Sequence, residues 1–365
     1  MSQADFKHTL RQLPFPACAV EALPRIEHII VNRTKQNFAM QLISEFVFLE
    51  RTKEGKLPAQ LFLAPQMSAF QEFQLILVLI EFFAHPRQDS TRNTVLLSLF
   101  GSTITPQRSK ILCKLISTAV SGSVASLLSS AGAWMQQVGC TTPPCLEVAQ
   151  SLVNDFIIFA KRSSDQLKQL PMVAPRFAAN FMTAVADLYM KEQGGSLVSP
   201  PDMLLDVFTD WVSENPTLCL ASQQPVALPS GAIAMPVVTP LAGLIRWTVL
   251  APLVSQKTTY SDLHLSLLQT LLQIESNGPP TALNAQHLTQ IVGCLKTLMR
   301  NQNEASSEST DDSSYQKCME RFAQAVQVAL TAKCVYGSIP QLLCSLETLP
   351  PHSLMQVVIK VNKIN

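Results

Sequence analysis

Residues 239–253 read TPLAGLIRWTVLAPL, an apolar run with an arginine and a tryptophan at its centre, and its length decides what it can be. Eleven residues separate Pro240 from Pro252, about 16 Å of helix at ~1.5 Å per residue. A bilayer core of ~30 Å needs roughly 20 residues, so the run reads as a buried helix of a water-soluble fold. Thr239 is the expected N-cap, Pro240 the first helical residue and Pro252 the stop. Leu241, Leu244, Ile245, Thr248 and Val249 cover most of the circumference, which predicts burial on nearly every side. An arginine in such a helix needs a partner. Helix C-terminal carbonyls or a carboxylate of the same chain would serve, and so would the surface of another protein, where Arg and Trp often dominate binding. Arg246 and Trp247, with Trp211 in a second apolar stripe, are therefore candidates for a buried anchor or a partner interface.

The rest of the chain repeats the helical period. Ile111, Leu112, Leu115, Ile116 and Ala119 form a stripe at spacings of three and four in SKILCKLISTAV. Phe177, Phe181, Val185 and Leu188 do so in APRFAANFMTAVADLYM, expected to stop at Gly194 and Gly195. Leu204, Val207, Phe208 and Trp211 follow, with Ser199 as the expected cap and Asp202 as its capping-box partner. Two more stripes are Leu263, Leu267, Leu271, Ile274 and Met319, Phe322, Val326, Leu330. Strand signals are nearly absent, VVIKV near the end being the one ambiguous run. The expected fold is all-α: about fifteen helices of roughly 10 to 20 residues, stacked as an irregular, HEAT-like helical-repeat solenoid without a strict repeat.

Two interruptions divide the chain. Residues 222–238, SQQPVALPSGAIAMPVV, carry three prolines and a glycine and are expected to form an apolar loop. It would separate an N-terminal helical region, 1–221, from a C-terminal one, 239–365. Residues 301–314, NQNEASSESTDDSS, are polar and acidic and read as a flexible loop. Serines beside acidic residues are a phosphorylation signal there, weaker than the reading as a plain solvated loop.

Composition excludes several classes. In 365 residues 47% are apolar and 15% charged, too much hydrophobic side chain for a disordered chain. With 27 basic and 26 acidic residues no general field draws it to nucleic acid or an anionic membrane. So few charges also leave a soluble surface thinly covered, and part of it is expected to lie under another protein. The opening MSQADFKHTLRQLPF is mixed and polar, so secretion is not expected. The nine cysteines, among them Cys113 in KILCKLI and Cys294 in IVGCLKTL, read as buried thiols in a reducing compartment.

No phosphate-cradling glycine loop, nucleophile elbow or helical zinc motif occurs in the sequence. Cys140 and Cys145 have a gap that zinc could use, but no second pair of ligands accompanies them, and they read as ordinary thiols flanking a helix start at Pro143. His264 adjoins an apolar stripe and reads as a core histidine before a general base. The Asn32-Arg-Thr34 sequon is a chance match in a chain without a secretion signal. Basic groups such as Arg33 and Lys35, or Arg108, Lys110 and Lys114, are small and interleaved with acidic or apolar residues, which disfavours direct nucleic-acid binding. RNA or DNA binding by a helical repeat is the alternative to a scaffold.

An ordered series of runs carries a resemblance. SEFVF (44–48), FQEFQLILVLIEFF (70–83), APRFAANFMTAVADLY (174–189), PPDMLLDVFTDWVSENPTL (200–218), TPLAGLIRWTVLAPL (239–253), YSDLHLSLLQTLL (260–272) and RFAQAVQVAL (321–330) resemble, in order, the Integrator complex subunit 15 family. The resemblance implies a nuclear, non-enzymatic, cofactor-free helical scaffold. It would join the module of Integrator subunits 10, 13 and 14 to the rest of a complex that cleaves RNA polymerase II transcripts, small nuclear RNA precursors included, and attenuates transcription. Two departures stand against the family pattern: the linker before Tyr260 is shorter, and the chain ends at Asn365 without a Pro- and His-rich tail.

Overall fold

A computed structural model describes residues 2–50, 67–101, 104–159, 164–193, 196–228, 235, 238–277, 282–305 and 312–364. The fold is all-α: the described residues form eighteen α-helices with π and 3₁₀ turns at their ends and four strands of two residues. Chain contacts define two units, residues 1–152 with 225–235, and residues 153–224 with 236–365. The division falls inside the expected N-terminal region, and the Pro-rich segment belongs in part to the first unit. Its Ala227 carbonyl accepts from Asn93 Nδ2 at 2.9 Å. Ser222 and Gln223 belong to a 3₁₀ turn, Pro216–Gln223, so the non-helical stretch begins later than its prolines suggested.

The first unit contains α1 (Gln3–Gln12), α2 (Ala17–Val31), α3 (Gln36–Leu42), α4 (Ala69–Ala84), α5 (Asp89–Leu99), α6 (Pro106–Ser121), α7 (Ala125–Val138) and α8 (Pro143–Val153). Local chemistry sets several starts. Ser2 and Ser68 each complete a capping box, with Asp5 and Gln71, and Thr105 caps α6 ahead of Pro106. α7 is buried on almost every side, and its Trp134 indole donates to the Phe100 carbonyl. Arg108 of α6 gathers three segments. Its Nε donates to Glu50 at 2.9 Å, one terminal nitrogen to the Leu99 carbonyl at the end of α5, the other to Ser44 Oγ at 3.0 Å. The guanidinium also lies 4.5 Å from the centre of the Phe48 ring.

The second unit contains α9 (Ser164–Lys168), α10 (Leu170–Val173), α11 (Pro175–Leu188), α12 (Asp202–Glu214), α13 (Leu241–Leu250), α14 (Thr259–Asn277), α15 (Ala285–Ala305), α16 (Asp312–Thr331), α17 (Ile339–Leu346) and α18 (Ser353–Ile364). α12 packs on α14, and α13 lies against α11, α14 and α16. β1 (Glu192–Gln193) pairs antiparallel with β2 (Ser196–Leu197), and β3 (Leu283–Asn284) pairs parallel with β4 (Val335–Tyr336). The latter pair ties the entry of α15 to the exit of α16.

Several boundaries differ from the sequence reading. α13 begins after Pro240, and the Thr239 hydroxyl donates to the Ala282 carbonyl at 2.7 Å instead of capping. It ends at Leu250, two residues before Pro252, in a 3₁₀ turn over Ala251–Leu253. α12 has no side-chain cap, because it begins at Asp202 and Ser199 bonds the Tyr260 hydroxyl. α11 ends at Leu188, before the glycines, and Gly194 and Gly195 lie outside the described residues. VVIKV is helical within α18. Of the expected 301–314 loop, residues 301–305 continue α15 and Asp312 opens α16. Residues 306–311, with the serines at 306, 307 and 309, lie outside the described residues.

Candidate functional site

The three residues singled out by the sequence sit on neighbouring helices of the second unit. Trp211 (α12) is 2% exposed and Trp247 (α13) is fully buried. Phe208 lies between the two indoles, 5.4 Å from Trp211 and stacked at 5.9 Å on Trp247. Phe181 of α11 meets Phe208 edge-on at 5.9 Å, and Tyr189 meets Trp247 edge-on at 6.0 Å. These offset and edge-to-face geometries are the ones that aromatic quadrupoles favour. The rings form the centre of the α11, α12 and α13 packing.

The arginine problem is solved by the end of α11. A helix leaves its last four carbonyls without intrahelical partners, and Tyr189 turns into extended backbone immediately after Leu188. The Ala186 carbonyl thus becomes free, and it accepts twice: from Arg246 at 2.5 Å and from Trp247 Nε1 at 3.1 Å. Arg246 also reaches the Tyr189 carbonyl at 3.3 Å. Burial pulls the Arg246 pKa down, and the nearby Asp187 carboxylate opposes that shift. Gly243 permits this approach. A Cβ placed on it would lie 2.5 Å from Cβ of Ala186, far inside the ~3.5–4.0 Å of ordinary carbon contact.

The same joint recurs one helix further on. Arg321 of α16 donates to the Thr248 carbonyl at 2.8 Å, near the end of α13, and to Ser261 Oγ at 2.6 Å. With Arg108 on the end of α5, three arginines each close the C-terminus of a neighbouring helix, where the negative end of the macrodipole favours a cation. His264, 4% exposed, lies beside this joint. Thr248 Oγ1 is 3.2 Å from its Nδ1 and Gln324 Oε1 is 3.1 Å from its Nε2. Burial brings the His264 pKa down to about 4; the Gln324 hydrogen bond opposes this and the Arg321 charge adds to it. The ring is therefore neutral near pH 7 and positioned between fixed partners.

Sequence reasoning singled out Arg246, Trp247 and Trp211; Tyr189, Ala186, Gly243, Arg321 and Gln324, which the structure places around them and around the second joint, it did not single out. Gly243 carried a readable signal, since a glycine within an apolar helix marks close backbone approach. Cys140 and Cys145 are both buried, and their thiols reach the Met135 carbonyl at 3.8 and 3.9 Å. Burial pushes Cys145 up to about 12 and Cys140 higher still, so both are protonated thiols at neutral pH. Among the described residues no group of three or more His, Cys, Asp or Glu is placed to hold a metal, and no helix is long and apolar enough to cross a membrane. Chemically, the arrangement fixes helix ends against one another.

The sequence is similar to known proteins over nearly its whole length. The family model for Integrator complex subunit 15 matches residues 4–351. Integrator complex subunit 15 of Drosophila melanogaster is 61% identical over 352 residues, covering 96% of this chain and 94% of the relative. The Homo sapiens subunit is 29% identical over an alignment covering 98% of this chain and 86% of its own length, and the Mus musculus subunit 28% over the same shares. A match of this extent, at high identity to one relative, makes the chain a member of the Integrator complex subunit 15 family.

Proposed function

We propose that this chain is a non-catalytic scaffold subunit of the Integrator complex, joining the module of subunits 10, 13 and 14 to the remainder of the assembly. It would act in the nucleus, in 3′-end processing of RNA polymerase II transcripts, small nuclear RNAs included, and in transcription attenuation. Family membership supports the complex. The observation that carries the scaffold role is where the strongest polar groups go: Arg108, Arg246, Arg321, Trp134 and Trp247 all bind carbonyls of neighbouring segments. Such groups fix helix pairs within each unit and leave recognition to the surface.

Affinity purification of the tagged chain from nuclear extract tests this reading. Recovery of subunits 10, 13 and 14 in stable amounts is the expected result, and recovery of the chain alone would overturn it. Many described cations, Arg87, Lys110, Lys114, Lys191 and Lys257 among them, are engaged by carboxylates of this same chain. The purified chain is accordingly expected to bind labelled RNA weakly; tight, salt-dependent binding would point instead to a nucleic-acid role.

A further inference from the structure

α4 is apolar at every position but Gln71, Glu72, Gln74 and Glu81, a composition that ordinarily marks a helix buried on most sides, yet one face is open. Leu75, Ile76, Leu79, Phe82 and Phe83 face the core of the first unit. On the opposite side Phe70 is 68% exposed, Phe73 56% and Leu77 48%. The spacing of three and four places these residues along two turns of one ridge. The neighbouring helix shows what a solvated face of this chain looks like: α6 exposes Lys110, Lys114 and Thr118. Three large side chains on one ridge present roughly 300 Å² of apolar surface, as large as the biggest patch on many monomers and commonly functional at that size.

Charge beside the ridge is equally specific. Glu72, next to Phe73 in sequence, is buried, and its two carboxylate oxygens each take one lysine, Lys110 at 2.9 Å and Lys114 at 2.7 Å. Burial would raise the Glu72 pKa, but the two lysine hydrogen bonds outweigh it and hold the carboxyl below its usual range. One carboxylate thus faces two ammonium groups, leaving one positive charge in excess, and both lysines are about half exposed with further N–H donors open to a partner. At the other end of the ridge Glu81 is exposed.

We infer that the Phe70, Phe73, Leu77 ridge docks an amphipathic helix of another Integrator subunit, with acidic side chains meeting Lys110 and Lys114. A helical ridge of this length fits the groove of a second helix, and the excess positive charge selects an acidic flank. The inference rests on the scaffold reading.

A photo-crosslinking amino acid placed in turn at positions 70, 73 and 77 of the full tagged chain, in nuclei, tests it. The expected crosslinked peptide comes from another Integrator subunit and carries apolar residues at helical spacing beside Asp or Glu. Peptides from residues 51–66, from a second copy of this chain, from a non-acidic segment, or no crosslink at all would overturn it. The purified crosslinked subunit then serves as the binding probe. Phe73→Ala should weaken its binding about 30-fold, as a central aromatic anchor does, and Lys114→Glu should weaken it and change its salt dependence. Circular dichroism melts of both variants control for folding, and full binding by folded Phe73→Ala also overturns the inference. If the other subunits still co-purify while positions 70, 73 and 77 capture none of them, this surface is wrong and the scaffold reading stands. If none co-purifies, the scaffold reading itself has failed.

Discussion

The contact between α11 and α13 makes the same substitution act with opposite sign at two glycines. Glycine inside a helix costs about 1 kcal/mol relative to alanine, chiefly through backbone entropy. At Gly293, exposed on α15, an added Cβ meets nothing within 4 Å, so Gly293→Ala should stabilise by about 1 kcal/mol. At Gly243 the added Cβ would lie 2.5 Å from that of Ala186, and α11 and α13 would have to part by about 1 Å to restore ordinary contact. Such overpacking costs about 1–3 kcal/mol. It also draws the Ala186 carbonyl away from both Arg246 and Trp247, whose hydrogen bonds share that oxygen. Subtraction of the propensity gain leaves about 0–2 kcal/mol of packing cost, and the two weakened hydrogen bonds add to it, so Gly243→Ala should destabilise by about 1–2 kcal/mol, a spread of about 2–3 kcal/mol between the two variants. Urea melts followed by circular dichroism and by tryptophan fluorescence measure it. Ala186→Gly should cost less in the Gly243→Ala background than alone, where the helix penalty of about 1 kcal/mol is not offset by relief of the clash, because the pair is coupled through one contact. Equal stabilisation at both glycines would refute the close approach, and with it the account of how the arginine is satisfied.

Three further expectations follow from individual groups. Trp247→Phe and Trp211→Phe remove the same ring from one aromatic cluster, but of the two only Trp247 Nε1 has an acceptor, while the Trp211 indole N–H meets none among the described residues; denaturant unfolding should show Trp247→Phe worse by at least about 1 kcal/mol. The folded pKa of His264, about 4 against 6.5 for the free side chain, means that the unfolded chain binds the extra proton first as pH falls. Its contribution of about 3 kcal/mol is therefore complete above pH 6.5 and is lost between there and pH 4; stability measured across that window should fall less steeply in His264→Gln. Arg108→Lys keeps the charge but not the fork that serves Glu50, Leu99 and Ser44 together, and should cost about 2 kcal/mol by thermal melting.

What the sequence could and could not reveal follows from the range of each interaction. The helical class was legible because the apolar period is local, as in Ile111, Leu112, Leu115 and Ile116, all fully buried on one face of α6. Even the awkward residue was legible as a problem: an arginine amid apolar neighbours had to find acceptors. Its solution was not, because the acceptors sit 60 and 57 positions away, and nothing in APRFAANFMTAVADLYM announces that the helix stops at Leu188 and frees the Ala186 carbonyl. The misplaced boundaries share that cause. Thr239 and Ser199 look like caps, yet each hydroxyl bonds a distant segment, at Ala282 and Tyr260, because a nonlocal partner was closer to hand than the helix start. Charge scarcity acts in the same direction. A chain with few lysines and glutamates on its helix ends relies on a single arginine per joint, reaching across from the next helix, so each of Arg108, Arg246 and Arg321 holds two elements at once. Substituting any one should therefore loosen a helix pair and not a single helix, a cooperativity that a stripe-by-stripe reading of the letters has no means to register.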